Sequence, residues 1–129
     1  MGHIELSILY AEDEHIMANN VSTFFKNFGH KMVHATDATM AIKMSEKQKF
    51  NIMIFDIHLE SGTGDQVIER IRADVGNPNH KTPILVVSSH LDGPLITKLS
   101  GKIQGAVVKP FKIMDLIKRV EELLDVEIK

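Results

Sequence analysis

The chain has no cysteine, which removes disulfide frameworks and thiolate metal sites and fits a reducing compartment. It has no long apolar run either. Ile84 to Val87 is typical of its apolar stretches, far short of the roughly 20 residues needed to cross a bilayer. No secretory leader is visible, because Glu5 stands where a basic region and an apolar core would begin. Met1-Gly2 opens like a myristoylation signal, but Leu6 occupies the position that signal reserves for Ser or Thr. Positive charge is not in surplus. The formal net charge is −2, and Lys118-Arg119 is a pair and not a stripe, which argues against an electrostatic grip on nucleic acid. Repeats and low-complexity segments are absent as well. These exclusions lead us to expect a soluble, cytoplasmic protein with neither membrane nor nucleic acid as its partner.

What remains is 129 residues, 43% of them hydrophobic, enough for one core and read here as a single domain over residues 1–129. Two hydrophobic periods alternate along it. Leu6 to Tyr10 is an aliphatic run, and Glu14 to Phe28 then switches to helical spacing with Met17, Val21, Phe24 and Phe28 on one face. Gly29 stands where a helix takes a left-handed C-terminal residue. Met32 to Ala35 reads as a second strand, and Asp37 as the N-cap of a helix to about Gln48 that buries Ala38, Ala41 and Ile42. Ile52 to Phe55 is continuously apolar, as in a strand covered on both faces, and stops at Asp56. A loop with Gly62 and Gly64 precedes a helix carrying Val67, Ile68, Ile71 and Val75, and Gly76 to Thr82 reads as a turn-rich surface connection. Ile84 to Val87 makes a fourth strand ending at Ser88. Pro94 opens a short helix closed near Gly101, Ala106 to Val108 is a fifth strand, and Ile113, Leu116, Ile117, Val120 and Leu124 mark a final helix. The pattern predicts an α/β fold of five βα units, with a parallel sheet between two helical layers.

Sites in such folds form at the carboxyl ends of the strands. Four of the five ends carry chemistry here: Glu12-Asp13, Asp56, Ser88-Ser89 and Lys109-Pro110. A lone strand-end aspartate usually caps the next helix, and that would suffice for Asp13. It does not suffice for three carboxylates at one edge, which raise one another's pKa and repel unless a cation intervenes. Mg²⁺ takes one or two carboxylates together with water and phosphate oxygens, with Mn²⁺ as a substitute. Lys109 and the Ser88 hydroxyl would then address a bound phosphoryl group.

These residues resemble the motifs of response-regulator receiver domains, as in the chemotaxis-type single-domain regulators. The matching pieces are Ile8-Leu9-Tyr10-Ala11-Glu12-Asp13-Glu14, Asp56 with Gly64 eight residues on, Pro83-Ile84-Leu85-Val86-Val87-Ser88-Ser89, and Lys109-Pro110-Phe111. Each motif alone is weak, whereas the ordered set, spanning essentially the whole chain, is specific. The resemblance implies a flavodoxin-like (βα)5 three-layer sandwich with strand order 2-1-3-4-5. It implies a two-component or phosphorelay role: Asp56 would accept a phosphoryl group from a phosphohistidine donor, a sensor histidine kinase or a histidine phosphotransfer protein. Asp13, Glu12, Asp56 and the backbone carbonyl of His58 would hold Mg²⁺, Ser88 would be the switch hydroxyl and Lys109 the phosphate-binding ammonium. Lys109-Pro110 is a candidate cis peptide. Such a domain catalyses only its own aspartyl phosphorylation and dephosphorylation, so an ordinary enzyme is not expected, and the signal would leave through protein contacts at the fourth helix, fifth strand and fifth helix.

The chain also departs from the family pattern. Glu12 replaces the commoner Asp, and Glu60 stands where Pro is common. Ala106 occupies the position of a switching aromatic, so the short helix with Leu95, Ile96 and Leu99 is expected to reposition in its place. His58 and His90, each two residues beyond Asp56 and Ser88, either modulate dephosphorylation or are plain exposed loop residues. Three rivals stay open: a receiver-like interaction module that works without phosphorylation, an aspartate-nucleophile phosphatase, and a flavodoxin-like cofactor carrier. The phosphatase usually has a second Asp where His58 stands, and the carrier a phosphate-binding loop after the first strand, which this chain lacks.

Overall fold

The computed structural model describes residues 4–128. Five parallel strands form its sheet: β1 (Ser7–Ala11), β2 (Lys31–Ala35), β3 (Ile52–Asp56), β6 (Ile84–Ser88) and β7 (Gly105–Val108). Two further strands, β4 (His58–Leu59) and β5 (Gly62–Thr63), make a small antiparallel hairpin directly after β3. The helices are α1 (His15–Asn27), α2 (Ala38–Lys47), α3 (Gly64–Ala73), α4 (Gly93–Leu99) and α5 (Ile113–Leu124). Strand order is β2-β1-β3-β6-β7, which is the expected 2-1-3-4-5 when sheet strands alone are counted.

The side-chain period of a strand divides the core into two layers. Ile8 and Tyr10 of β1, Ile52 and Ile54 of β3, and Leu85 and Val87 of β6 face α1 and α5. Their neighbours Leu9, Ala11, Met53, Phe55, Ile84 and Val86 face α2, α3 and α4. Every residue of β3 and β6 is buried, which is why these runs carry no polar alternation. α1 presents its stripe slightly differently from the expectation. Phe25 and Ala18 are fully buried beside Val21, while Met17, Phe24 and Phe28 flank the core. Truncating Phe25 to Ala would cost about 3–5 kcal/mol by the usual cavity cost of a buried ring.

Asp37 caps α2 as expected, and Asp92 caps α4, a role the sequence reading did not assign. The Asp37 carboxylate accepts from Met40 N at 2.7 Å and the Asp92 carboxylate from Leu95 N at 2.9 Å. Gly29 ends α1 with φ 81°. Two local expectations fail. Val75 lies beyond the end of α3 and is 84% exposed, because the helix stops at Ala73 before another turn can bring it inward. The connection from Gly76 to Thr82 is not merely superficial: Asn77, Asn79 and Thr82 are buried in it, for reasons taken up in the Discussion. No helix among the described residues is long and apolar enough to cross a membrane.

Candidate functional site

The carboxyl ends of β1 and β3, adjacent in the sheet, bring Glu12, Asp13 and Asp56 together. One carboxylate oxygen from each lies within 4.8 Å of the others. Glu12 is fully buried, Asp56 is 3% exposed, and Asp13 is partly exposed. Lys109 reaches in from the end of β7 and spans two of them, with Nζ 2.7 Å from Asp56 Oδ2 and 2.9 Å from Glu12 Oε1. The Lys109–Pro110 peptide is cis. The second oxygen of each bridged carboxylate is held by backbone: His58 N–H donates to Asp56 Oδ1 at 3.0 Å and Glu14 N–H to Glu12 Oε2 at 3.3 Å.

The electrostatics follow from this crowding. Burial, joined by the neighbouring Asp56, pushes the Glu12 carboxyl up from 4.5 to about 7, against the pull of Lys109. Burial acts to lower the Lys109 ammonium, but Asp56 and Glu12 outweigh it and hold Lys109 above its ordinary value. Burial and then Glu12 and Asp56 push the Tyr10 phenol far up, so it stays a neutral donor, 3.4 Å from Glu12 Oε1. With all three carboxylates ionised, one ammonium leaves two negative charges in excess. A hard divalent cation matches that charge and this all-oxygen donor set.

Gly64 explains how the loop after Asp56 can fold so tightly. A Cβ there would lie 2.2 Å from the Asp56 carbonyl oxygen and 2.9 Å from Ile57 Cα, so only glycine allows α3 to start against the back of the site. Gly64 N–H donates to the Ile57 carbonyl at 2.8 Å.

Comparison with known proteins agrees with this geometry. Residues 8–121 match the profile of the response regulator receiver domain. The chain belongs to the response regulator receiver family. Regulatory protein VanRc of Enterococcus gallinarum is 30% identical over 120 residues, covering 91% of this chain and 49% of that protein. Sensor histidine kinase AruS of Pseudomonas aeruginosa is 23% identical, over 92% of this chain and 12% of that protein. The receiver domain thus spans about half the length of the regulator and a small part of the kinase. Among solved structures, chemotaxis protein CheY4 of Vibrio cholerae superposes with a TM-score of 0.85 at 22% identity, covering 94% of this chain and all of that one (100%). The receiver domain of sensor histidine kinase PA1611 from Pseudomonas aeruginosa, solved with magnesium in its active-site cleft, gives 0.82 at 20% identity, covering 95% and 99%.

Of the residues singled out in the sequence, Glu12, Asp13, Asp56 and Lys109 converge in this receiver domain. Ser88, at the end of the adjacent β6, is fully buried but turned on its own loop: its hydroxyl donates to the His90 carbonyl at 2.9 Å and accepts from His90 N–H at 3.1 Å. His58 and His90 have exposed side chains on the rim, and His90 Nε2 lies 3.5 Å from the Asp92 carboxylate. Ala106 pairs with Val86 in the sheet and faces α4.

Sequence reasoning assigned no site chemistry to the end of the second strand. His34, on β2, places Nε2 2.6 Å from the Glu12 carbonyl oxygen. That oxygen can only accept, so Nε2 carries the proton. The signal was available, since β2 neighbours β1 in the implied strand order. Tyr10 was read only as a core residue, because nothing in a strand pattern reveals that its hydroxyl reaches the site.

Proposed function

We propose that this receiver domain, read as one unit over residues 1–129, accepts a phosphoryl group on Asp56 from a phosphohistidine donor and signals through protein contacts. The observation that carries this reading is the Lys109 ammonium bridging Asp56 and Glu12 beside Asp13. Phosphoryl transfer asks chiefly for alignment and charge neutralisation. An Asp56 oxygen attacks phosphorus; the new P–O bond forms as the P–N bond breaks, and its electron pair returns to the donor imidazole. Lys109, already at Asp56, stays close to the incoming oxygens, and the Ser88 hydroxyl gives up the His90 carbonyl for one of them. Asp13, Asp56, Glu12 and the His58 carbonyl would hold Mg²⁺ or Mn²⁺, which when bound neutralises charge on the phosphoryl oxygens. Water attack on the acyl phosphate returns Asp56 and inorganic phosphate, with His58 and His90 on the rim modulating its approach.

The donor is a sensor histidine kinase or a histidine phosphotransfer protein, the output face is α4, β7 and α5, and the place of action is the cytoplasm. Phosphorylation and dephosphorylation of its own aspartate are its only catalysis. Intact mass after incubation with acetyl phosphate and Mg²⁺ tests this reading. A single phosphoryl adduct is expected on the wild type, and none on Asp56→Asn. Absence of an adduct on the wild type would leave the second reading, an interaction module that works without phosphorylation. That reading draws its support from Ala106 and from a Ser88 hydroxyl satisfied within its own loop.

A further inference from the structure

Glu12, which stands where the family more often has Asp, is gripped at every polar atom. Its N–H donates to the Ala35 carbonyl at 3.0 Å, and its own carbonyl accepts from His34 Nε2 at 2.6 Å. Carboxylate oxygen Oε1 takes the Lys109 ammonium at 2.9 Å and the Tyr10 hydroxyl at 3.4 Å. Oε2 takes the Glu14 N–H at 3.3 Å. Two of these partners, Tyr10 and His34, lie outside the residues to which the receiver motifs assign a role. They form one unit. Tyr10 on β1 pairs with His34 on β2, and their ring centroids are 6.2 Å apart. His15, at the start of α1, also meets the His34 ring, edge-on at 6.4 Å.

The two grips act on different freedoms. The peptide joining Glu12 to Asp13 is planar, so a hydrogen bond on its carbonyl sets the direction in which both acids leave the strand. Glutamate has one more rotatable bond than aspartate, and ordering its carboxylate removes that extra freedom. Tyr10, arriving beside Lys109 at Oε1, fixes the carboxylate and leaves Oε2, with one backbone contact, as the oxygen with capacity to spare. We propose that His34 and Tyr10 are positioning residues for a divalent cation: His34 sets the Glu12–Asp13 peptide, and Tyr10 fits the longer acid to its place. This rests on Glu12, Asp13 and Asp56 as the cation site. Groups that orient a ligand in this way are worth about tenfold or more in metal affinity.

Mn²⁺ binding to the full chain, read from the EPR signal of the free ion, tests this. The phosphoryl adduct is measured by intact mass on the same preparations. His34→Leu is expected to weaken Mn²⁺ binding about tenfold. His34→Gln, whose amide can donate from nearly the place of Nε2, should restore most of it. Tyr10→Phe should weaken binding about threefold, the order of one neutral hydrogen bond. A Glu12→Asp background separates the two grips. The shorter carboxylate falls short of Tyr10, so Tyr10→Phe should then change nothing, while His34→Leu should keep its effect through the backbone carbonyl. Unchanged affinity in both single variants, no rescue by Gln, or an equal Tyr10→Phe effect in both backgrounds would overturn the positioning roles alone, provided the wild type forms its adduct. If His34→Leu does not fold, the Tyr10 and Glu12 comparison decides by itself. A wild type that takes up neither Mn²⁺ nor the adduct would overturn both the positioning roles and the phosphoacceptor reading.

Discussion

The two edges of the sheet bury polar groups to opposite ends. At the amino edge, Asn79 is fully buried and has every valence satisfied. Its carbonyl oxygen accepts from Phe50 N and the Thr82 hydroxyl at 2.8 and 2.9 Å, and its amide donates to the Ser45 and Gln48 carbonyls, both at 2.7 Å. Beside it, Arg72 donates to the carbonyls of Lys102, Asn79, His80 and Thr82 and to Gln104 Oε1. Neutral acceptors take every one of those bonds. At the carboxyl edge the buried groups are carboxylates packed against each other, with one ammonium to share. The Asn79 and Arg72 network is complete as it stands, and it stabilises. The carboxyl edge is short of positive charge, and that deficit is its chemical potential for cations and phosphoryl groups.

Substitutions should separate the two edges cleanly. The largest effect is expected from Asp56→Asn, which abolishes the acyl phosphate by intact mass while urea unfolding shows a fold at least as stable as the wild type, since like charge is removed. A loss of stability there would make the carboxyl edge a structural element after all. Next, Asn79→Ala strands the Phe50 amide and the Ser45 and Gln48 carbonyls. The unfolding free energy should fall by about 3 kcal/mol, from several buried groups left unpaired, yet the folded fraction should still be phosphorylated.

A smaller effect concerns pH in the presence of a chelator. The folded Glu12 carboxyl sits at about 7 against 4.5 when unfolded, so its contribution is fully present below 4.5 and is lost as pH rises through 7. Wild type should lose on the order of 2 kcal/mol across that window, whereas Glu12→Gln should stay level there. Equal slopes for the two proteins would refute the assignment of that charge deficit to Glu12. The smallest effect is expected at the rim, where replacing both His58 and His90 with Ala should alter the acyl-phosphate half-life by no more than about tenfold, the order of a single auxiliary group. A greater change would move them from the rim into the centre of the chemistry.

The carboxyl edge was largely legible in the sequence and the amino edge was not, for a physical reason. Strands buried on both faces advertise themselves as unbroken apolar runs, and an acid at the end of such a run stands out, as Asp56 does after Ile52 to Phe55. Gly64, eight residues later, could be placed by spacing, although its contact with the Asp56 carbonyl could not. Asn77, Asn79 and Thr82 lie among Gly76, Pro78 and His80, a composition typical of exposed turns. Only tertiary contacts more than 25 residues distant, such as Asn79 to Phe50 and Ser45, make them core. Distance along the chain likewise hid the reach of His34 to Glu12, and the local path of the loop hid the Ser88 hydroxyl's turn toward His90. Residue type foretells what a group can do, and only the fold decides which neighbour it does it with.

The way β7 ends has a consequence for the protein's behaviour at high concentration. β7 is an outer strand of only four residues. Its ladder stops because Lys109 N–H is already spent on the Ser88 carbonyl and the next nitrogen, in Pro110, has no hydrogen to offer. A stranger's chain seeking to extend the sheet at this side therefore finds only a short template.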